Sequence, residues 1–230
     1  HAAFRSAHLV AGAWGAAAVL LIAALQAGCG MSSYQTARNL PRGATSLTAA
    51  VNSNSYWLTV DGDTHSTARN SFDAMASHGI SETFEMGGRV SYYPVEDQDS
   101  VLLMAQPKLG IMPRKLAVIL PAGIVLADDG HGWELTPGVL YTHFFTPNVS
   151  LETAGKLLIA INDDFDDSHT LVGANVGMRF VPNGGRWGLQ PEFGFYIDPN
   201  EDGAFTQLGI AFVYELGTRD PDRMAGATAG

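Results

Sequence analysis

The chain has 230 residues, a formal net charge of −10 at pH 7, 26 glycines and a single cysteine. An acidic balance of this size argues against nucleic-acid binding, and one cysteine cannot form an internal disulfide. Beyond residue 30 no run of eighteen apolar residues occurs, so no helix is expected to cross a membrane there.

The first thirty residues have the layout of a targeting segment. Arg5 supplies a positive charge, Leu9 to Leu25 an apolar stretch, and Ala27-Gly28 a small-residue cleavage site. Residues 1–28 are therefore predicted to be a signal peptide. Cys29 follows directly, and the stretch resembles a bacterial lipobox, except that Gln26 stands where an aliphatic residue is usual. The resemblance implies acylation of Cys29; plain signal cleavage or a retained helix are the alternatives. Gly30, where that pattern uses Asp for inner-membrane retention, implies sorting to the outer membrane. Residues 29–43 then form a short polar, lipid-anchored tether.

From about Ser71 to Leu216, apolar and small or polar side chains alternate in segments of ten to thirteen residues. Strands are predicted at 45–58, 71–78, 82–93, 100–112, 115–127, 133–145, 149–161, 170–182, 186–197 and 204–216, with an outer loop at Val60 to Asn70. The second segment is the weakest, because Ala and Met dilute its strand character. Connections alternate as well. Short neutral or basic turns, such as Met112-Pro113-Arg114-Lys115, face one way. Acidic loops, such as Glu96 to Asp99 and Asp163 to Asp167, face the other. Strands with one greasy face and two unlike ends describe an all-β, antiparallel, up-and-down transmembrane β-barrel over residues 44–217. Ten strands are expected, with eight as the alternative if the first two lie outside the wall. An even count places both termini on the periplasmic side, and residues 218–230 form a polar tail expected to be disordered there.

Period-2 reading sorts the faces. In the ninth strand Trp187, Leu189, Phe193, Phe195 and Ile197 oppose Gly188, Gln190, Glu192, Gly194 and Tyr196. A soluble sandwich would show Lys, Glu and Thr outside; here the outer face is aromatic and aliphatic. The glycine-bearing side becomes the lumen and takes Glu85, Arg89, Lys108, Glu134, Glu152, Lys156, Arg179, Glu192 and Glu215. Ions confined in a narrow barrel must pair or stay hydrated, so the expectation is a salt-bridged plug. A narrow hydrated path selecting polar solutes is the alternative. Pro107, Pro121 and Pro137 sit at one level of three adjacent strands, which predicts a kink or bulge.

The last strand, Gln207-Leu-Gly209-Ile-Ala-Phe212-Val-Tyr214, resembles the C-terminal signal read by the outer-membrane barrel-assembly machinery. That likeness implies Gln207, Gly209, Phe212 and Tyr214 as the recognised positions. Three further stretches match a group of small bacterial outer-membrane β-barrel lipoproteins of mostly unassigned function, which the chain resembles. They are Gln35-Thr-Ala-Arg-Asn-Leu-Pro-Arg-Gly43, His78-Gly-Ile-Ser81 leading into Phe84-Glu-Met-Gly87, and Leu189-Gln-Pro-Glu192. The resemblance implies a fold, outer-membrane lipids as surroundings and the assembly machinery as a partner, but no reaction.

Candidate chemistry is sparse. Asp163, Asp164, Asp166 and Asp167 form a dense acidic cluster of the kind that attracts hard cations. Their spacing lacks the glycine and final glutamate of a calcium loop, so they are read as a solvated acidic loop, with divalent cations at the outer rim as a weak role. Loops pairing Asp with His (Asp128, Asp129 and His131; Asp166, Asp167 and His169) would suit water activation, but they are short. A rim hydrolase using His143 with Ser150 or Thr142 has no nucleophile motif behind it. No cofactor and no catalytic residue is therefore expected, and the role is structural, adhesive or pore-like.

Overall fold

The computed structural model describes residues 31–60, 63–94, 99–127, 130–162, 168–182, 185–199 and 203–217. Twelve strand segments follow in order: β1 Thr45–Val60, β2 Asp63–Gly79, β3 Phe84–Tyr93, β4 Ser100–Met112, β5 Leu116–Ile119, β6 Ala122–Ala127, β7 Gly130–Leu135, β8 Gly138–Thr146, β9 Val149–Asn162, β10 Ser168–Phe180, β11 Trp187–Ile197 and β12 Gly203–Leu216. β5 with β6, and β7 with β8, each make one interrupted wall strand, since both halves pair with the same neighbours. β12 pairs antiparallel with β1 from Thr45↔Leu216 to Leu58↔Gly203. The wall is thus a closed, antiparallel, ten-stranded barrel, which leaves no open sheet edge around the ring.

The alternation carries through to burial. β11 reads exposed, buried, exposed along its whole length, with Trp187, Leu189, Phe193, Phe195 and Ile197 outside. Trp187 stacks on Phe212 of β12, ring centroids 6.1 Å apart, on the outer face near the short turns. An apolar exterior of this kind belongs against hydrocarbon, and the barrel is a transmembrane one. The tight turns have local causes. Arg114 takes a positive φ of 63° between β4 and β5, and the Ser81 hydroxyl accepts from the Thr83 and Phe84 amides before β3.

Two expectations change. β2 begins at Asp63, so residues 63–70, read as loop, pair with β1 down to Val60↔Asp63. This hairpin extends beyond the part of β2 that pairs with β3, which spans only Phe72 to Gly79. The prolines interrupt the wall without a bulge. The wall strands break at Leu120-Pro121 and Thr136-Pro137, while Pro107 stays within β4. Each proline carbonyl still accepts across the junction: from Leu120 N at 3.1 Å, Thr136 N at 2.8 Å and Leu157 N at 3.0 Å. Only the return bond is lost, because proline has no N–H. Register is kept through the break, Lys108↔Ile119 on one side and Ala105↔Ala122 on the other. The register shifts that do occur lie next to the short turns, at Gly110/Met112 and Phe144/Thr146.

Candidate functional site

The lumen is occupied by the chain itself. Residues 31–40, within the stretch expected as a polar tether, run through the barrel interior, with Met31, Tyr34, Ala37, Arg38 and Leu40 all buried. The segment joins the wall at the short-turn rim, where Gly43 N donates to Gly79 O at 2.8 Å and Ala44 N to Pro41 O at 2.9 Å. From there it climbs toward the loop end. Met31 packs with Leu158, Leu171, Tyr196 and Phe205, all in the loop-side half of their strands. Gly217 lies beside Ala44 at the opposite rim.

Wall side chains hold the main chain of this segment at nearly every residue. Lys156 Nζ and Tyr196 Oη donate to Met31 O at 2.8 and 2.9 Å, and Arg89 Nη1 donates to Ser32 O at 2.8 Å. The Glu192 carboxylate accepts from Ser33 N at 2.8 Å, Ser33 Oγ at 2.9 Å and Tyr34 N at 3.0 Å. Asn175 Nδ2 supplies a further donor to it at 3.0 Å. Lower down, Lys108 Nζ donates to Thr36 O and Arg38 O at 3.2 and 3.1 Å. Ala37 N reaches Thr142 Oγ1 at 2.8 Å, and Leu40 N reaches Glu85 Oε2 at 3.0 Å. Two lysines and an arginine meet carbonyls while Glu85 and Glu192 meet amides; these five wall charges are matched to peptide dipoles.

The nine charges placed inside by alternation all point inward, and eight are more than nine-tenths buried; Glu215 is less so, its side chain 19% exposed. They pair with one another only in part. Lys108–Glu85 at 2.8 Å and Arg179–Glu215 at 2.7 Å are wall-to-wall bridges. Two others need residues absent from that set: Arg89 bridges Asp73 at 2.8 Å, and Arg38 of the inner segment bridges Glu215 at 2.6 Å. Ser32 Oγ donates to the same Asp73 oxygen at 2.9 Å. Glu134 accepts from Thr136 Oγ1 at 3.0 Å, and Glu152 from Ser150 Oγ at 2.6 Å and from Thr142 Oγ1.

Tyr34 is seated over the seam where β12 meets β1. Its hydroxyl donates to Asn52 Oδ1, which also accepts from Gln207 Nε2 at 2.9 Å. A Cβ added at Gly209 would overlap both the Tyr34 hydroxyl and Asn52 Oδ1, and one at Gly79 would overlap the Leu40 and Pro41 carbonyls. These two glycines give the inner segment its room. Of the residues assigned to the assembly signal, Gln207 and Gly209 thus face the lumen, while Phe212 and Tyr214 alternate outward. Between the segment and the wall is a cavity of about 30 Å³, bordered by Glu85, Lys108, Arg38 and Glu215. That is room for one or two water molecules.

The rim-hydrolase arrangement is not assembled. His143 is on the outer face, edge-on to Phe145 at 5.0 Å, whereas Ser150 and Thr142 are buried on the inner face against Glu152. Between the turns, Arg114 lies over the Phe144 ring at 5.0 Å. Residues 1–30 with Cys29, the cluster Asp163 to Asp167, Asp128, Asp129 and the tail 218–230 lie outside the described residues. Among the described residues no group of three or more His, Cys, Asp or Glu is placed to hold a metal ion.

No protein-family model matches the sequence, and a search of the curated proteins finds no relative. Solved structures do resemble it. An outer-membrane channel from Pseudomonas putida F1 superposes with a TM-score of 0.53 at 10% identity, over 80% of this chain and 100% of that one. The translocator domain of the autotransporter NalP from Neisseria meningitidis gives 0.46 at 8% identity, over 80% and 90%. The KdgM porin, in complex with disordered oligogalacturonate, gives 0.42 at 12%, over 74% and 98%. The fold is that of bacterial outer-membrane β-barrels. At these identities the likeness extends to the fold and no further.

Proposed function

We propose that the protein is an outer-membrane β-barrel with a structural or interaction role whose lumen is closed to solutes by its own segment 31–42. The observation that carries this reading is the threading of that segment between buried wall charges, from Leu40 on Glu85 to Met31 on Lys156. A ten-stranded barrel has little free bore, and here the bore holds a peptide. On this reading the barrel catalyses no reaction, the short turns and Gly217 face the periplasm, and a lipid on Cys29 would add a second attachment. Phe212 and Tyr214, on the outer face of the last strand, fit recognition by the assembly machinery. The acidic loops supply an outer rim suited to weak divalent-cation contacts.

The test is planar-bilayer recording of the refolded full chain, with liposome swelling in small sugars and amino acids. Silence and no swelling are expected. A stable unitary conductance with solute-dependent swelling would replace this reading with that of a narrow channel or carrier.

A further inference from the structure

We propose that the lumen is a peptide-recognition site, built to bind the main chain of a linear segment and occupied in cis by residues 31–42. This rests on the closed-lumen reading and says more: the closure is a ligand held by affinity, separable from the wall.

Three observations point this way. First, the wall's buried ions are directed at peptide groups as well as at each other. Glu192, 3% exposed, spends both carboxylate oxygens on Ser33 and Tyr34, and Lys156, 5% exposed, donates to Met31 O. A wall that only had to close itself would pair such charges directly. Second, four of the eight residues between Met31 and Leu40 are small (Ser32, Ser33, Thr36, Ala37), so much of the recognition falls on the backbone, with the Ser32 and Ser33 hydroxyls adding to it. Third, two side chains fix register: Tyr34 over the notch at Gly209, and Arg38 on Glu215. The ligand class is therefore a linear peptide that turns at an aromatic residue, with small residues around it and its hydroxyl four positions before a cation. The segment joins the wall through Arg42 and Gly43, both exposed. Gly43 has a positive φ of 80° and its N–H is bonded to Gly79 O, so the glycine is kept and the protease site is built on its amino-terminal side.

The experiment uses the full chain carrying a specific protease site at the Arg42–Gly43 turn, folded first and nicked afterwards. Expected are co-elution of the cleaved fragment with the barrel in detergent and continued silence in bilayers. Release of the fragment with the appearance of conductance would overturn the proposal. In a second arm the nicked protein is refolded with excess isotope-labelled peptide 31–42, or with the same peptide N-methylated at Ser33 and Tyr34. The unmodified peptide should be incorporated, and the methylated one at least about tenfold less, having lost both Glu192 contacts. Equal incorporation of the two, or of neither, would refute main-chain recognition. Failure of the closed-lumen reading itself looks different: the uncut protein already conducts.

Discussion

Replacing Glu192 with alanine tests the seat at its most connected point. Its carboxylate takes three donors from the inner segment (Ser33 N, Ser33 Oγ and Tyr34 N) and a fourth from Asn175. Hydrogen bonds to a charged acceptor contribute roughly 1.5–3 kcal/mol each. Three such bonds would give an upper figure of roughly 4.5–9 kcal/mol, but they are not additive here. The Ser33 hydroxyl can turn elsewhere, and water can enter the vacated volume and satisfy the two amides in part. A net cost of about 3 kcal/mol is reasonable, which shifts the seated-to-unseated ratio by about 150-fold. The contacts from Lys156, Arg89, Lys108 and Arg38 remain, so brief openings are expected rather than a permanently open pore. In single-channel recording, Glu192→Ala should raise the fraction of time at an open level about a hundredfold over wild type. Glu192→Gln, which keeps one carbonyl acceptor, should fall between the two. A Glu192→Ala barrel that migrates as folded on unheated gels yet is as silent as wild type would refute the reasoning.

Other expectations follow from the same geometry. Gly209→Ala should displace Tyr34 from Asn52 and raise opening by roughly tenfold, since the added methyl overlaps both; unchanged recordings would count against the notch. Asp73→Ala should lower barrel stability by about 3–5 kcal/mol by stranding buried Arg89. The paired Asp73→Leu, Arg89→Met variant should be milder than Asp73→Ala, as read from the temperature at which the gel shift is lost. Pro121→Ala returns an N–H opposite Thr136 O; amide exchange of the β5–β8 segments should slow there. Net stability should move by no more than about 1 kcal/mol, because the added bond is offset by the greater freedom of the unfolded chain.

The wall was legible in the sequence because its physics is periodic. One face meets hydrocarbon and the other the lumen, so every second residue of β11 reports its side, and Glu85, Lys108 and Arg179 could be placed inside before any partner was known. Register then explains the bridge that alternation alone could not pair, since Glu85 lies directly opposite Lys108. Asp73 was missed because Ala74, Met75 and Ala76 dilute the strand character of β2 and its upper half reads as polar loop. The inner segment was missed for a deeper reason. Its recognition is largely through carbonyls and amides that every residue carries, and the small side chains of Ser32, Ser33, Thr36 and Ala37 form no periodic pattern to read. A clue was present in Gly79 and Gly209, lumen-facing glycines with room for something, but a glycine in a strand announces space without saying what fills it. The prolines are legible in part: their shared level implies a kink or bulge, and the wall strands do break at two of them, but register is kept and one hydrogen bond per junction is forgone.

Amide hydrogen exchange of the full chain in lipid bears most directly on the central claim. The amides of Ser33, Tyr34, Ala37 and Leu40 donate to buried wall acceptors, so their protection should approach that of mid-strand amides such as those of β11. Complete exchange at these four positions within seconds, while the wall strands remain protected, would mean that the segment is not held in the lumen.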